Sequence, residues 1–150
     1  MPQSLVKNYV HLVFSTKYRQ PFITKDIQQN LYAYMIGICR KLECYVQAIG
    51  GVEDHVHILC LHSKKIALIK LLEELKSHSS KWAKTQGEAH QNFYWQNGYG
   101  SFSVSPTAID KVIQYIENQE EHHKNQTFKD EYRALLHKYK MDFDEQYVWE

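Results

Sequence analysis

Net charge, cysteine and long apolar runs are all scarce in this chain of 150 residues. The 18 Lys and Arg are offset by 17 Asp and Glu, leaving +1 with His neutral. That balance excludes a molecule-wide basic field, so any nucleic-acid contact must come from a local patch. Cysteine occurs only at Cys39, Cys44 and Cys60, an odd set without C-x-x-C spacing. This usage predicts buried thiols in a reducing compartment and gives little footing to a thiolate zinc site. No apolar run approaches membrane-spanning length, and no signal-peptide apolar region opens the chain. The expectation is a cytoplasmic protein without a membrane partner. Repeats, linkers and low-complexity stretches are absent too. The length suits one domain, 1–150, with a real core, of which about 127–150 form a C-terminal helix and tail.

What the chain does have is 11 Tyr and 9 His. Two of the histidines stand two apart in Asp54-His55-Val56-His57-Ile58-Leu59. On a strand successive side chains alternate faces, so His55 and His57 point the same way, roughly 7 Å apart. They can chelate one cation while Val56 and Ile58 enter a core. The bland alternative is a pair of half-buried or surface histidines.

Alternation and strand-forming residues predict a first strand from Asn8 to Thr16. Lys17-Tyr18-Arg19-Gln20-Pro21 is a basic exit loop. Thr24 is a candidate N-cap for a helix whose apolar stripe is Ile27, Leu31, Met35, Ile38 and Leu42. Tyr45–Ile49 is a short strand, Gly50-Gly51 a turn, and Val52–Leu61 the strand carrying the histidines, which together make a hairpin. A second amphipathic helix spans Lys65–Lys84. Asn92–Val104 holds two strand-like pieces broken at Asn97-Gly98 and Gly100. Ser105-Pro106 starts a helix that runs to about Lys124-Asn125, and Thr127–Tyr139 makes another short helix. The order β-α-β-β-α-β-α predicts an α+β, ferredoxin-like (split βαβ) antiparallel sheet with two helices on one face. The extra C-terminal helix, which carries Tyr115, covers part of the open face.

Two histidines alone hold a hard cation poorly, so a third protein ligand is expected. Tyr115 and Gln119 are four apart on the third helix and share a stripe beside its apolar face, with His122 three further on. Gln119 can offer an amide oxygen, and a mixed nitrogen–oxygen shell suits Mg²⁺ or Mn²⁺ better than zinc. A tyrosine has a pKa of about 10 and is a weak nucleophile, so it needs an activated electrophile. A divalent ion on a phosphodiester supplies one. The product, a phosphotyrosine ester, conserves the bond and suits strand transfer better than hydrolysis. By itself Tyr115 reads more readily as a packing or surface residue. Local basic groups include Lys17 and Arg19, Lys64 and Lys65, and Lys81. They track a phosphate backbone if they line one side, and otherwise are a solvated face. Tyr94, Trp95, Tyr99 and Phe102 are either stacking platforms for bases or core.

Four separated blocks carry a family resemblance. They are Tyr9-Val10-His11-Leu12-Val13-Phe14-Ser15-Thr16-Lys17-Tyr18-Arg19, Asp54-His55-Val56-His57, Trp95-Gln96-Asn97-Gly98-Tyr99-Gly100-Ser101-Phe102-Ser103-Val104-Ser105, and Tyr115-Ile116-Glu117-Asn118-Gln119-Glu120-Glu121-His122-His123. In this order they resemble the single-tyrosine HUH transposases of the smallest bacterial and archaeal insertion sequences, the IS200-like family. The resemblance implies a transposase that cleaves and rejoins single-stranded DNA through a 5′-phosphotyrosine on Tyr115. It implies His55, His57 and Gln119 as ligands of Mg²⁺ or Mn²⁺; Asp54, next to His55, and His122, on the Tyr115–Gln119 stripe, are candidate supporting neighbours. It further implies recognition of DNA hairpins at element ends and a homodimer in which the tyrosine helix of one subunit completes the site of the other. Lys17, Arg19, Lys64, Lys65, Lys81 and Tyr99 are the candidate DNA contacts. The competing readings are a non-catalytic single-stranded nucleic-acid-binding module on the same kind of sheet, and a domesticated relative acting on chromosomal repeats. A two-histidine-motif phosphoesterase lacks its second strand motif, since His78-Ser79-Ser80 falls on a predicted helix.

Overall fold

The computed structural model describes residues 2–150. Strand β1 (Asn8–Ser15) leads through a single 3₁₀ turn at Lys17–Arg19 to α1 (Lys25–Lys41). Strands β2 (Tyr45–Val52) and β3 (His55–His62) form a hairpin, α2 (Leu68–Lys84) crosses back, and β4 (Gly100–Val104) completes the sheet. Helices α3 (Ile109–Glu117), α4 (Gln119–His122) and α5 (Phe128–Lys138) follow. The strands are antiparallel in the order β2-β3-β1-β4, the ferredoxin-like arrangement the element order predicts.

Strand periodicity divides the side chains between two faces. Leu12, Phe14, Val56, Ile58 and Cys60 meet Leu31, Met35, Leu71, Leu72 and Leu75 of α1 and α2, none more than 2% exposed. Each such burial stabilises by roughly 1.5–3 kcal/mol. All three cysteines are buried free thiols, and burial pushes Cys39 up to about 12. The other face is covered in two pieces. Ile116 of α3 packs on Ala48, Leu59 and Val104. Phe128, Tyr132 and Leu136 of α5, with Trp149 from the tail, pack on Val13 and Phe102. His11, His55 and His57 belong to this face, and all are buried.

The structure corrects several expectations. Gly50-Gly51 is not the hairpin turn, which is made by Glu53-Asp54. Both glycines lie inside β2, where they answer a demand for space. A Cβ on Gly50 would stand 2.4 Å from the Ile116 carbonyl oxygen. Gly100 serves α5 in the same way, since a Cβ there would lie 2.8 Å from the Tyr132 ring. Thr24 occupies the N-cap place of α1 with extended backbone, but its hydroxyl turns to the Asp26 carboxylate instead of a helix N–H. Ser105 does cap, accepting from Thr107 N, and Thr127 caps α5 by accepting from Asp130 N. Helix α2 begins at Leu68, later than predicted. Only one strand forms between Asn92 and Val104, plus a lone bridge from Trp95 to Thr16. The tyrosine helix does not run unbroken to Lys124: it is interrupted at Asn118, between α3 and α4. Trp95 and Phe102 are 7% and 2% exposed and belong to the cores, so they offer no platform to a base.

Candidate functional site

His55 opens β3, and His57 pairs across the sheet with Val13 and Gly50. Their Nε2 atoms point under α4 and α5. His55 Nε2 lies 3.0 Å from Gln119 Oε1. The Tyr115 ring stands 5.6 Å from the His57 ring and 6.1 Å from that of His11, edge on to both. Thus the structure brings Tyr115, His55, His57 and Gln119 together within the chain. Gly50 makes the meeting possible, because only a residue without Cβ lets the backbone of α3 lie so close to β2.

A fifth group stands at the centre. Glu131 of α5 is 2% exposed. Its Oε1 lies 3.0 Å from His57 Nε2, 3.3 Å from His55 Nε2 and 2.9 Å from His123 Nε2. Its Oε2 accepts from the Tyr115 hydroxyl and, at 3.0 Å, from Gln119 Nε2. His55, His57 and Glu131 form the one cluster of ionisable ligands, among the described residues, with donor atoms all within 4.8 Å of one another.

The surrounding shell orients these groups. Asp54 Oδ1 is 2.7 Å from His55 Nδ1, and His11 Nε2 is 2.8 Å from His57 Nδ1. Each ring is therefore held from behind with Nε2 forward, the arrangement metal-ligating imidazoles use. The same contacts set the charges. Burial works against a charged His55, but Asp54 and Glu131 outweigh it and raise its pKa to about 9. Burial lowers His57 to about 4 and His11 to about 3, with each other's charge or that of a neighbouring histidine adding to the effect. For Glu131 burial alone would raise the pKa. Hydrogen bonds from His123, His55 and His57 prevail and carry it far below the usual carboxylate range. Tyr115 is pushed well above an ordinary phenol, by burial first and then by the charge of Glu131.

The donor set of two imidazoles, an amide oxygen and a carboxylate fits a Mg²⁺- or Mn²⁺-like ion better than zinc, which takes amide oxygen poorly. The donor atoms of His55, His57 and Glu131 all lie within 4.8 Å of one another, close enough to share one ion.

Other predicted residues lie elsewhere. His122 stacks near Tyr115, with ring centroids 4.9 Å apart, while it is His123 that bonds Glu131. Lys17 sits over the Tyr18 ring, and Arg19 donates to the Trp149 carbonyl at 2.6 Å. Lys64 donates to the Ser4 carbonyl, and Lys65 pairs with Glu43, both beyond the far end of β3 from His55. Lys81 is on α2, across the sheet from the histidines, and Tyr99 packs against the two-helix core beside Lys76. The structure brings none of these six side chains to the His55–Tyr115 cluster. Sequence reasoning missed Glu131, His123 and His11 as parts of the site. Two signals were present. Glu131 interrupts the α5 stripe of Phe128, Tyr132 and Leu136 with a carboxylate, and His11 shares the alternation of Val13 on the second face.

The comparisons bear on family and fold. A family model described as transposase IS200 like matches residues 4–119. A crystal structure from Deinococcus radiodurans, assigned as a transposase, superposes with a TM-score of 0.61 at 22% identity, covering 79% of this chain and 98% of that one. A REP-associated tyrosine transposase bound to a REP hairpin gives a TM-score of 0.60 at 14% identity, covering 82% of this chain and 73% of that one. No curated protein matches the chain.

Proposed function

The chain belongs to the IS200-like transposase family, and from that footing we propose that it cleaves and rejoins single-stranded DNA through Tyr115. The observation that carries this is the convergence of Tyr115 and Gln119 with the Nε2 face of His55 and His57 in a buried site. His55, His57 and Gln119 would hold Mg²⁺ or Mn²⁺, which when bound would supply charge withdrawal from a phosphodiester oxygen.

The chain's own residues do the rest. Asp54 and His11 keep the two rings facing the substrate. Gln119 is anchored through its amide nitrogen, which donates to Glu131, so its oxygen stays turned toward His55 Nε2. Tyr115 is a neutral phenol at neutral pH, so its proton leaves only as its oxygen bonds to phosphorus. The phosphorus–O3′ bond breaks, a 3′ hydroxyl is released, and a 5′-phosphotyrosine remains. Attack on that ester by a second 3′ hydroxyl rejoins DNA and returns Tyr115.

The substrate we assign is single-stranded DNA beside a hairpin at the ends of an insertion sequence, handled in the cytoplasm. The neighbour bound to a REP hairpin favours hairpins of chromosomal repeats as a second substrate. We assign a homodimer with shared active sites, in which Tyr115 also fits beside the histidines of its own chain.

The test is incubation with labelled single-stranded DNA from the flanks of the protein's own gene, with and without Mg²⁺. The expected result is a denaturant-resistant protein–DNA band that needs Mg²⁺ and is absent from Tyr115→Phe. A band persisting in Tyr115→Phe removes Tyr115 from the reaction. Metal-independent binding with no cleavage favours the non-catalytic module.

A further inference from the structure

Glu131 is not accounted for by this reading. It lies on α5, outside the residues 4–119 that the family model matches. A carboxylate buried to 2% exposure is costly unless it is fully partnered. An apolar side chain would suit the α5 stripe of Phe128, Tyr132 and Leu136 better. The two carboxylate oxygens have separate tasks. Oε1 faces the Nε2 atoms of His57 and His55, at 3.0 and 3.3 Å, with His123 Nε2 at 2.9 Å. Oε2 takes the Tyr115 hydroxyl and the Gln119 amide nitrogen.

Resting on the function assigned above, we propose that Glu131 is a two-sided clamp, with Oε1 a ligand of the divalent cation beside His55 and His57, and Oε2 fixing the Tyr115 hydroxyl next to it. Charge supports the first half. His55, His57 and Gln119 bring a hard cation no negative charge once the histidines are neutral, and Glu131 supplies it. Connectivity supports the second half. The Tyr115 ring is held edge on by His11 and His57 and flanked by His122, but the hydrogen bond that sets the direction of its hydroxyl comes from Glu131. Since α3 and α5 rest on separate apolar clusters, this carboxylate is also what ties the two helices together over the sheet. Glu131 is thus a ligand and, toward Tyr115, a positioning residue.

Titration of the full-length protein with Mn²⁺ in the absence of DNA reads the first half. Glu131→Gln should bind Mn²⁺ at least about tenfold more weakly, and Tyr115→Phe within about threefold of wild type. Equal or tighter binding by Glu131→Gln overturns the ligand assignment. The carboxyl carbon resonance of Glu131 in the wild-type protein should move as Mg²⁺ is added. This holds the test open if the variant fails to fold, and a resonance that stays put overturns the assignment equally. The second half is read by the ring-carbon resonance beside the Tyr115 hydroxyl. It should shift between wild type and Glu131→Gln, and no shift overturns the clamp. With Mn²⁺ saturating, covalent adduct should still form at least about tenfold more slowly in Glu131→Gln. Full recovery at saturation reduces Glu131 to a ligand and overturns its hold on Tyr115. A wild-type protein that binds Mn²⁺ through Glu131 yet never forms an adduct would remove the proposed function and leave the ligand assignment standing.

Discussion

The two faces of the sheet solve opposite problems. Toward α1 and α2, the residues of β1 and β3 are apolar and meet apolar partners. Any side chain there is worth its burial and little else. Toward α3 and α5, the same two strands present His11, His55 and His57, equally buried and linked through Glu131 to a tyrosine and an amide. The first face holds apolar packing alone, the second adds a buried polar cluster to apolar packing of its own, and strand alternation keeps the two one residue apart. Damage to either face should then leave the other largely intact.

The sharpest way to break that division is Tyr115→Phe. It should abolish the covalent adduct on a denaturing gel while the midpoint of urea unfolding moves by no more than about 1 kcal/mol equivalent, because one hydrogen bond is lost and the ring remains. Leu75→Ala, on the opposite face, should do the reverse. Loss of that fully buried side chain should cost about 2–5 kcal/mol in urea unfolding, with Mn²⁺ affinity unchanged in the folded protein. Gly50→Ala tests the boundary between the faces. Its methyl would press on the Ile116 carbonyl, lift α3 and cost about 1–3 kcal/mol, and adduct formation should fall with it. Adduct yield at the wild-type level would mean that α3 does not need this close approach. Asp54→Asn should weaken Mn²⁺ binding about 10- to 100-fold in calorimetry, since it loosens the ring it backs.

A pH profile reads the charges on the second face. In chelator, below pH 6.5, the unfolded chain takes up protons at His11 and His57 that the folded chain refuses until about 3 and about 4. Stability therefore falls toward acid. Above 6.5 the folded chain keeps a proton on His55 until about 9 that the unfolded chain sheds, so stability falls toward base as well. Each group contributes on the order of 1.4 kcal/mol per pH unit within its window. Urea midpoints should peak near neutrality. A flat profile across that range would mean that the second face is less buried than the first.

The sequence exposed the first face almost fully, because apolar periodicity is a direct image of burial. It also exposed His55, His57, Tyr115 and Gln119, where the strand period of two and the helix spacing of four align chemically suited groups. Three things were hidden for physical reasons. Glu131 sits on a helix whose other signals are those of an ordinary amphipathic segment, and its part in the cluster depends on how α5 docks. Gly50-Gly51 carries the local mark of a turn, yet the pressure for glycine at Gly50 comes from α3, more than sixty positions away in sequence, and at Gly51 from the paired strand at His55. Trp95 and Phe102 fit either a stacking platform or a core, and only the tertiary arrangement decides between them.

The C-terminal tail has a reach beyond its own packing. Trp149 gives its carbonyl to Arg19, and Val148 gives its own to Gln96, which in turn accepts from Ser15, the strand partner of His55. Trp149 also lies against Tyr132, the residue after Glu131. Two short relays therefore join positions 148 and 149 to the strand that pairs with His55 and to the helix that carries Glu131. A bulky fusion partner appended after Glu150 would tug on both at once, and a protein engineer who wants an undisturbed phenol should attach the handle at the other terminus.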